Sequence, residues 1–326
     1  MKYISLTFLF LLSTALCAQN KLIFEKLPAM PLGNANLSTA QGEQDIYAIG
    51  GTTATQWVSS NLQVFDTRIN LWLQFPLKKL PRFTDGSALY LKEHDCILLA
   101  GGVMPYGASI ALVDSIRAIY PKIRKVRALG LAPEPARNLG LAHADNNVYL
   151  FGGSTGTWKN RLGNRYFNFS KKLYRYNLLN GEMTELPDMP HGMETEGGII
   201  DGNLYLFGGF DSKALRGVFK YDIAEETWTR LPSLKKPLSE YALVQYQHYF
   251  IMVGDYSRNN QLMVFNTKTE KATYFKTNLN GRKFGASIID DTLYVFGGIN
   301  GRLGSFKQQH FKLPLQKILD QTAKVQ

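Results

Sequence analysis

Short apolar runs, four or five residues long, recur along the whole chain, and each ends in a glycine pair or its near equivalent. They are Ile46-Tyr47-Ala48-Ile49-Gly50-Gly51, Ile97-Leu98-Leu99-Ala100-Gly101-Gly102, Val148-Tyr149-Leu150-Phe151-Gly152-Gly153, Leu204-Tyr205-Leu206-Phe207-Gly208-Gly209, Phe250-Ile251-Met252-Val253-Gly254-Asp255 and Leu293-Tyr294-Val295-Phe296-Gly297-Gly298. Apolar runs of this length, closed by glycine, predict buried strands. The first glycines stand at 50, 101, 152, 208, 254 and 297. A period of that size carrying strands is the mark of a β-propeller, in which each repeat is one blade.

Other positions repeat with the glycines. A small-residue strand and a turn precede each run, as at Asp145-Asn146-Asn147, Asp201-Gly202-Asn203 and Asp290-Asp291. Asp, Asn and Gly tolerate the positive φ of tight hairpins, so each turn joins two antiparallel strands. About a dozen residues later a third strand ends in an aromatic followed by Asp or Asn, at Phe65-Asp66, Tyr176-Asn177, Tyr221-Asp222 and Phe265-Asn266. Trp72 and Trp228 follow six residues after Asp66 and Asp222, and Leu-Pro pairs close the outer strands at 80–81, 186–187 and 231–232. Proline fits there because the outer strand is an edge. These aromatics are expected to pack between blades.

This combination resembles the kelch repeat across nearly the whole chain. The resemblance implies a six-bladed, all-β kelch propeller with four-stranded antiparallel blades. The pattern is worn in places: the stretch from Ile119 to Leu131 lacks the tryptophan, Met183 stands near another expected tryptophan, and Asp255 replaces a glycine. Leu22 to Pro28 reads as an outer strand with no inner strands before it, and Phe284 to Leu313 as three strands lacking their fourth. Pairing the two ends closes the ring and removes free edges. Residues after Pro314 read as a short amphipathic tail of one or two helical turns.

The first residues change the picture of where the propeller works. Lys2, the apolar run Leu6 to Leu12 and the small-residue stretch Ala15-Leu16-Cys17-Ala18-Gln19 read as a signal peptide over residues 1–18, leaving the propeller as 19–326. The expected location is periplasmic or secreted, in an exported protein of bacterial type. Leu16 departs from the small residue that a lipid anchor on Cys17 prefers. The apolar run is too short to span a membrane, and no later stretch reaches the roughly 20 apolar residues a span needs. Cys96 is then the lone cysteine, read as a small buried hydrophobe. The net charge of +11 suits acidic partners in general. Export and the scattering of the basic residues argue against nucleic acid, leaving a solvated basic surface or contact with acidic glycans or the envelope.

Two loop families hold the candidate chemistry. One precedes each inner strand and carries Arg82, Arg137, Glu194, Glu196, Glu240 and Arg282; the three arginines fit a place where many kelch repeats carry one. Opposite charges around one mouth recognise a zwitterion, polarise a sugar, or pair with each other as structural bridges. The other family follows the glycine pairs. Its longest member, 154–172, contains Trp158, Arg161, Arg165 and Tyr166; aromatic faces suit a pyranose and Arg forks suit carboxylates. Its aromatics either face a ligand or fold back as packing.

Asp255 and Arg258 offer a carboxylate and a guanidinium close in sequence, the types needed for acid–base work and anchoring. The chain is similar in export, size and blade number to bacterial N-acetylneuraminate epimerases (mutarotases), kelch proteins that use acidic and arginine side chains near the mouth. Their functional residues do not match position by position. The five histidines show no metal-ligand spacing, and phosphate loops, nucleophile elbows and dinucleotide fingerprints are absent, so no cofactor or metal is expected. The leading expectation is a rigid binding scaffold for a carbohydrate, a sugar acid or an envelope protein; the alternative is a sialic-acid-type epimerase.

Overall fold

The computed structural model describes residues 21–54, 58–107, 109–159, 165–300 and 305–325, with backbone alone at 157–159, 165, 166 and 305. The leader expected at 1–18 lies outside the described residues. Each glycine-paired run is the second strand of a blade. In the first blade the strands Ser38–Gln41, Asp45–Ile49, Asn61–Asp66 and Leu71–Pro76 pair in that order, from the axis outward. The innermost strands of the next five blades are Ser87–Leu91, Gly140–Ala144, Glu194–Ile200, Ala242–Tyr246 and Arg282–Ile289. Each neighbours the next and the last returns to the first, so six blades close one ring.

Local chemistry explains the repeat. Asp201 and Gly202 turn at φ 49° and 72°, and Asp290 and Asp291 at 47° and 53°, the left-handed values a two-residue hairpin demands. The Asp or Asn ending the third strand of the first, third, fourth and fifth blades caps the following turn. Asp222 Oδ1 accepts the N–H groups of Ala224 and Glu225, both at 3.0 Å, and Asn177 Oδ1 accepts that of Leu179 at 2.9 Å. Such side-chain turns spare the backbone an unpaired donor.

Packing is between blades. Tyr205 and Phe207 of the fourth blade pack on Phe250 and Phe265 of the fifth, and Ile49 and Leu62 of the first on Ile97, Leu99 and Ile119 of the second. Every adjacent pair of blades shares such a cluster, including the last and the first. Full burial of each large apolar side chain contributes about 1.5–3 kcal/mol, so a blade without neighbours would lose most of its stabilisation. Trp72 is part of the closing cluster, with Phe65, Phe296 and His310 around it. Trp228 lies against Tyr221, and its indole N–H donates to the Pro187 carbonyl at 3.1 Å. Cys96 is buried among Leu91, Leu98 and Ile116.

The N-terminal segment closes the ring in two pieces, not as one outer strand. Glu25–Lys26 pairs antiparallel with His310–Pro314 and completes the sixth blade. Lys21–Leu22 instead adds parallel to Lys271–Thr277 of the fifth. The chain crosses between blades at Phe24, whose N–H and carbonyl are both held by the Asn278 side-chain amide at 2.8 and 2.9 Å. The tail forms a helix, Leu315–Ala323, that buries Leu315, Ile318 and Thr322. Among the described residues no helix is long and apolar enough to cross a membrane.

Candidate functional site

The start of a first strand and the end of a second strand lie side by side in an antiparallel hairpin. Ser38 pairs with Ile49, Gly140 with Phe151 and Ala242 with Val253. The loops before the inner strands and the loops after the glycine pairs therefore share one face, and the two families predicted from sequence are a single surface.

Register aligns the blades residue by residue at this mouth. Thr84 bridges to Val103, Arg137 to Ser154, Glu194 to Phe210 and Arg282 to Ile299, each partner following a second glycine. Arg137, Glu194 and Arg282 are equivalent; Arg82 is not. It stands two residues before Thr84, exposed and outside the cavity. One residue further on, Asn36, Asp85, Asn138, Glu240 and Lys283 all have left-handed backbones, φ 53°, 57°, 48°, 55° and 52°. Backbone hydrogen bonds link several of them from blade to blade: Asp85 N–H to Asn36 O at 3.1 Å, Asn138 N–H to Asp85 O at 2.8 Å, and Lys283 N–H to Glu240 O at 2.9 Å. Left-handed Glu and Lys cost more than Asn or Asp, and such strain collects where a surface must hold a set shape.

The fourth blade breaks the pattern. Arg137 and Gly140 are separated by two residues, but Glu194 and its register equivalent, Glu196, only by Thr195. The left-handed residue is missing there. Where the other blades place Ser38, Ser87, Gly140, Ala242 and Gly285 opposite the residue before the glycine pair, this blade places Glu196. Tyr241 of the fifth blade fills the shortened loop, donating its hydroxyl to the carbonyls of Phe207 and Glu196.

These residues surround a cavity of about 420 Å³ at the channel mouth. Asp85, Glu194, Glu196 and Glu240 line it against Arg137 and Lys283, with Tyr241, Tyr256 and Phe210 in the wall. Most of the charges pair. Arg137 Nε lies 3.3 Å from Glu194 Oε1, Arg282 Nε 3.1 Å from Glu240 Oε2, and Lys283 Nζ 3.5 Å from Glu240 Oε1 and 3.9 Å from Asp85 Oδ1. Of the sequence alternatives, these pairs carry the structural-bridge reading. Burial raises the Glu194 carboxyl, opposed by the Arg137 charge and by Asn138. Glu196 has no hydrogen-bonding or ionic side-chain partner among the described residues. Its carboxyl is open to the channel yet hemmed in by protein, and this desolvation alone pushes it up to about 7.

The hairpin Ser154–Lys159 and Arg165–Phe169 rises from the same face. Phe167 lies under the Arg137 guanidinium at 4.5 Å, and Phe169 meets Phe210 edge-on at 6.0 Å, so this wall continues into the cavity. Trp158 stands opposite Tyr166 in the register and Arg165 opposite Lys159. Arg161 lies outside the described residues. A second hairpin, Val103–Tyr106 and Ser109–Leu112, carries exposed Tyr106 and Ile110.

Asp255 and Arg258 are placed elsewhere. Asp255 is fully buried, accepting the N–H groups of Ser239, Ser257 and Arg258 at 3.1–3.2 Å and meeting Arg258 Nη2 at 2.9 Å. Arg258 also donates to the Pro237 carbonyl and to Gln261 Oε1. Neither residue lines the cavity. The pair ties the loop of the fifth blade to the strand entering it, and burial raises the Asp255 carboxyl against those donors.

Sequence reading did not single out Asp85, Lys283, Tyr241 and Tyr256. The available signal was the Asn or Asp two residues before an inner strand, at Asn36, Asp85 and Asn138. Among the described residues no group of three or more His, Cys, Asp or Glu stands together as metal ligands.

Residues 35–254 match the KLHDC2/KLHL20/DRC7 Kelch-repeats domain. The chain is 25% identical over 232 residues to Kelch-like protein terF of Aspergillus terreus, which is 67% of this chain and 47% of that protein. It is 21% identical over 217 residues to Kelch-like protein 25 of Xenopus tropicalis, 64% of this chain and 35% of that protein. The chain thus spans less than half the length of either relative. With a match across more than half of its length and blades whose glycines, capped turns and interblade aromatics follow one plan, this chain belongs to the kelch-repeat β-propeller family.

Proposed function

We propose that the protein is a recognition module whose partner is a protein segment seated in the channel mouth. The observation that carries this reading is the collar of left-handed residues, which presents a preformed cavity with its charged side chains held in place. A preformed site binds without the cost of ordering its own loops. Kelch propellers commonly act as protein-interaction scaffolds, and the two hairpins beside the mouth widen the contact surface beyond the cavity. Exposed Tyr106, Ile110 and Tyr256 are the residue types that anchor interfaces.

The acid–base function suggested for Asp255 and Arg258 is not part of this proposal, since both groups are committed to internal bonds. The sugar platform suggested on Trp158 and Tyr166 is not part of this proposal either, since the side chains of both lie outside the described ones. Export remains a proposal carried by the leader-like residues 1–18, and N-terminal sequencing of the secreted fraction tests it.

The experiment is a displayed-peptide selection against the chain, followed by binding of selected peptides to Tyr256→Ala and to Ile69→Ala, the latter an exposed residue of a turn on the opposite face. Peptides that lose affinity for the first variant alone support the mouth as the site. Peptides insensitive to both, or no selected peptide at all, overturn it.

A further inference from the structure

The mouth and the molecule have opposite signs. The chain carries +11 overall, yet four carboxylates line the cavity against two cations. A general basic surface attracts acidic partners; this cavity does not follow it.

The inner-strand register isolates the cause. Five blades place a serine, glycine or alanine where the fourth places Glu196. A carboxylate in a rank of small residues is not needed to build a blade, since five are built without one. It also comes with a deleted loop residue and with Tyr241 bracing the gap. Arg137, Lys283 and the adjacent Arg282 are each within 4 Å of another carboxylate. Among the described residues Glu196 alone of the four acids has no counter-charge.

Resting on the mouth as the binding site, we infer that the partner inserts a lysine or arginine side chain into the cavity, and that Glu196 is its counter-charge. The chemistry is consistent. A channel-facing, unpaired carboxylate hemmed in by protein has given up part of its hydration without an ion pair in return, so an entering ammonium or guanidinium gains a charge-assisted bond at reduced desolvation cost. Glu194, Glu240 and Asp85 add attraction from across the cavity, tempered by Arg137 and Lys283. Tyr241, whose hydroxyl is spent on backbone carbonyls, holds the Glu196 backbone and leaves its carboxylate free to face the ligand. The exposed Tyr256 ring and Phe210 offer apolar surface to the aliphatic stem of the side chain. A carboxylate ligand would meet the excess of acids instead.

Protonation of Glu196 opposes cation binding. With its carboxyl near 7, affinity for a basic peptide should rise about tenfold from pH 6 to pH 8 as the ionised fraction grows. The other ionisable groups at the cavity are Asp85, Arg137, Glu194, Glu240, Tyr241, Tyr256 and Lys283, and no histidine is among its lining residues. Comparison with a Glu196 variant separates their contribution.

The test screens three peptide libraries of equal length, with Lys and Arg, Asp and Glu, or neutral residues at the varied core, against the wild-type chain and Glu196→Gln. Thermal denaturation first establishes that the variant is folded; Glu196→Ala serves if Gln is not tolerated. The expected result is enrichment of basic peptides, a tenfold or greater loss of affinity in Glu196→Gln, and a pH 6–8 rise that disappears in the variant. Basic peptides that bind the variant equally well overturn the assignment to Glu196. Enrichment of acidic or neutral peptides through the mouth leaves the recognition module standing and overturns the cationic partner. Silence from all three libraries overturns both.

Discussion

Trp72 of the first blade donates its indole N–H to His310 Nδ1 of the last at 3.1 Å, inside the seam where the ring closes. The bond requires an unprotonated Nδ1, and burial holds the imidazole down to about 3. The seam is thus both the place where the two ends of the chain meet and a place that resists protonation until well below the ordinary histidine range.

Acid should therefore weaken the ring closure. The unfolded chain takes up a proton at His310 as pH falls below about 6.5, and the folded chain does not until about 3. Stability is unaffected by this residue above pH 6.5 and declines between 6.5 and 3, with a ceiling of about 5 kcal/mol. Urea denaturation across this range, in wild type and in His310→Phe, should show a shallower acid decline in the variant. Equal slopes would remove His310 as the cause.

Asp255 replaces a glycine, and restoring that glycine should harm the fold. The second glycines at 51, 102, 153, 209 and 298 have φ between 85° and 101°, whereas Asp255 is not left-handed. Its loop runs differently and depends on the carboxylate. Asp255→Gly strands three backbone donors and leaves Arg258 without its counter-charge, a loss of about 3 kcal/mol or more. Chemical denaturation measures it; a gain in stability would show that the loop returns to the glycine conformation at no cost.

Gly209 couples the repeat to the mouth. Its φ is 101°, and an added Cβ would lie 2.6 Å from the Glu194 carbonyl oxygen, a backbone atom of the loop that carries the cavity acids. Gly209→Ala should cost at least about 2 kcal/mol and lower ligand affinity together with stability. Gly202→Ala, also left-handed but with nothing near its Cβ, carries the backbone strain alone, about 1 kcal/mol. Equal melting temperatures for the two variants would mean that the loop gives way freely.

Arg137 joins the cavity to the long hairpin, through Glu194 on one side and the Phe167 ring on the other. Arg137→Ala should leave global stability within about 1 kcal/mol, because the pair is partly solvated. Amide exchange at Arg165–Phe169 should nevertheless quicken, as the hairpin loses its lateral contact. Unchanged exchange would assign the position of the hairpin to Phe169 and Phe210 instead.

Much of the propeller was legible in the residues. Glycine pairs after apolar runs, Asp-Gly and Asp-Asp turns and interblade aromatics are local devices, each with a conformation its side chains nearly enforce. The seam was legible too, although the division of the N-terminal segment between two blades was not, because Asn278 clamps Phe24 from 254 residues away in the chain. Arg82 looked equivalent to Arg137 by position before a strand. Only cross-strand pairing showed that Thr84 holds that place, because loop lengths differ between blades.

The sequence by itself determined the number of blades, the hairpin within each and the glycine pairs and Asp or Asn turns that must be left-handed or small, because these follow from steric limits acting over a few neighbours. The tertiary structure alone decided which charged groups share the mouth, which of them are paired, and that Asp255 faces inward while Glu196 faces the channel. Those outcomes depend on register between strands and on packing between blades, where a single missing residue in one loop moves a carboxylate from one rank to the next.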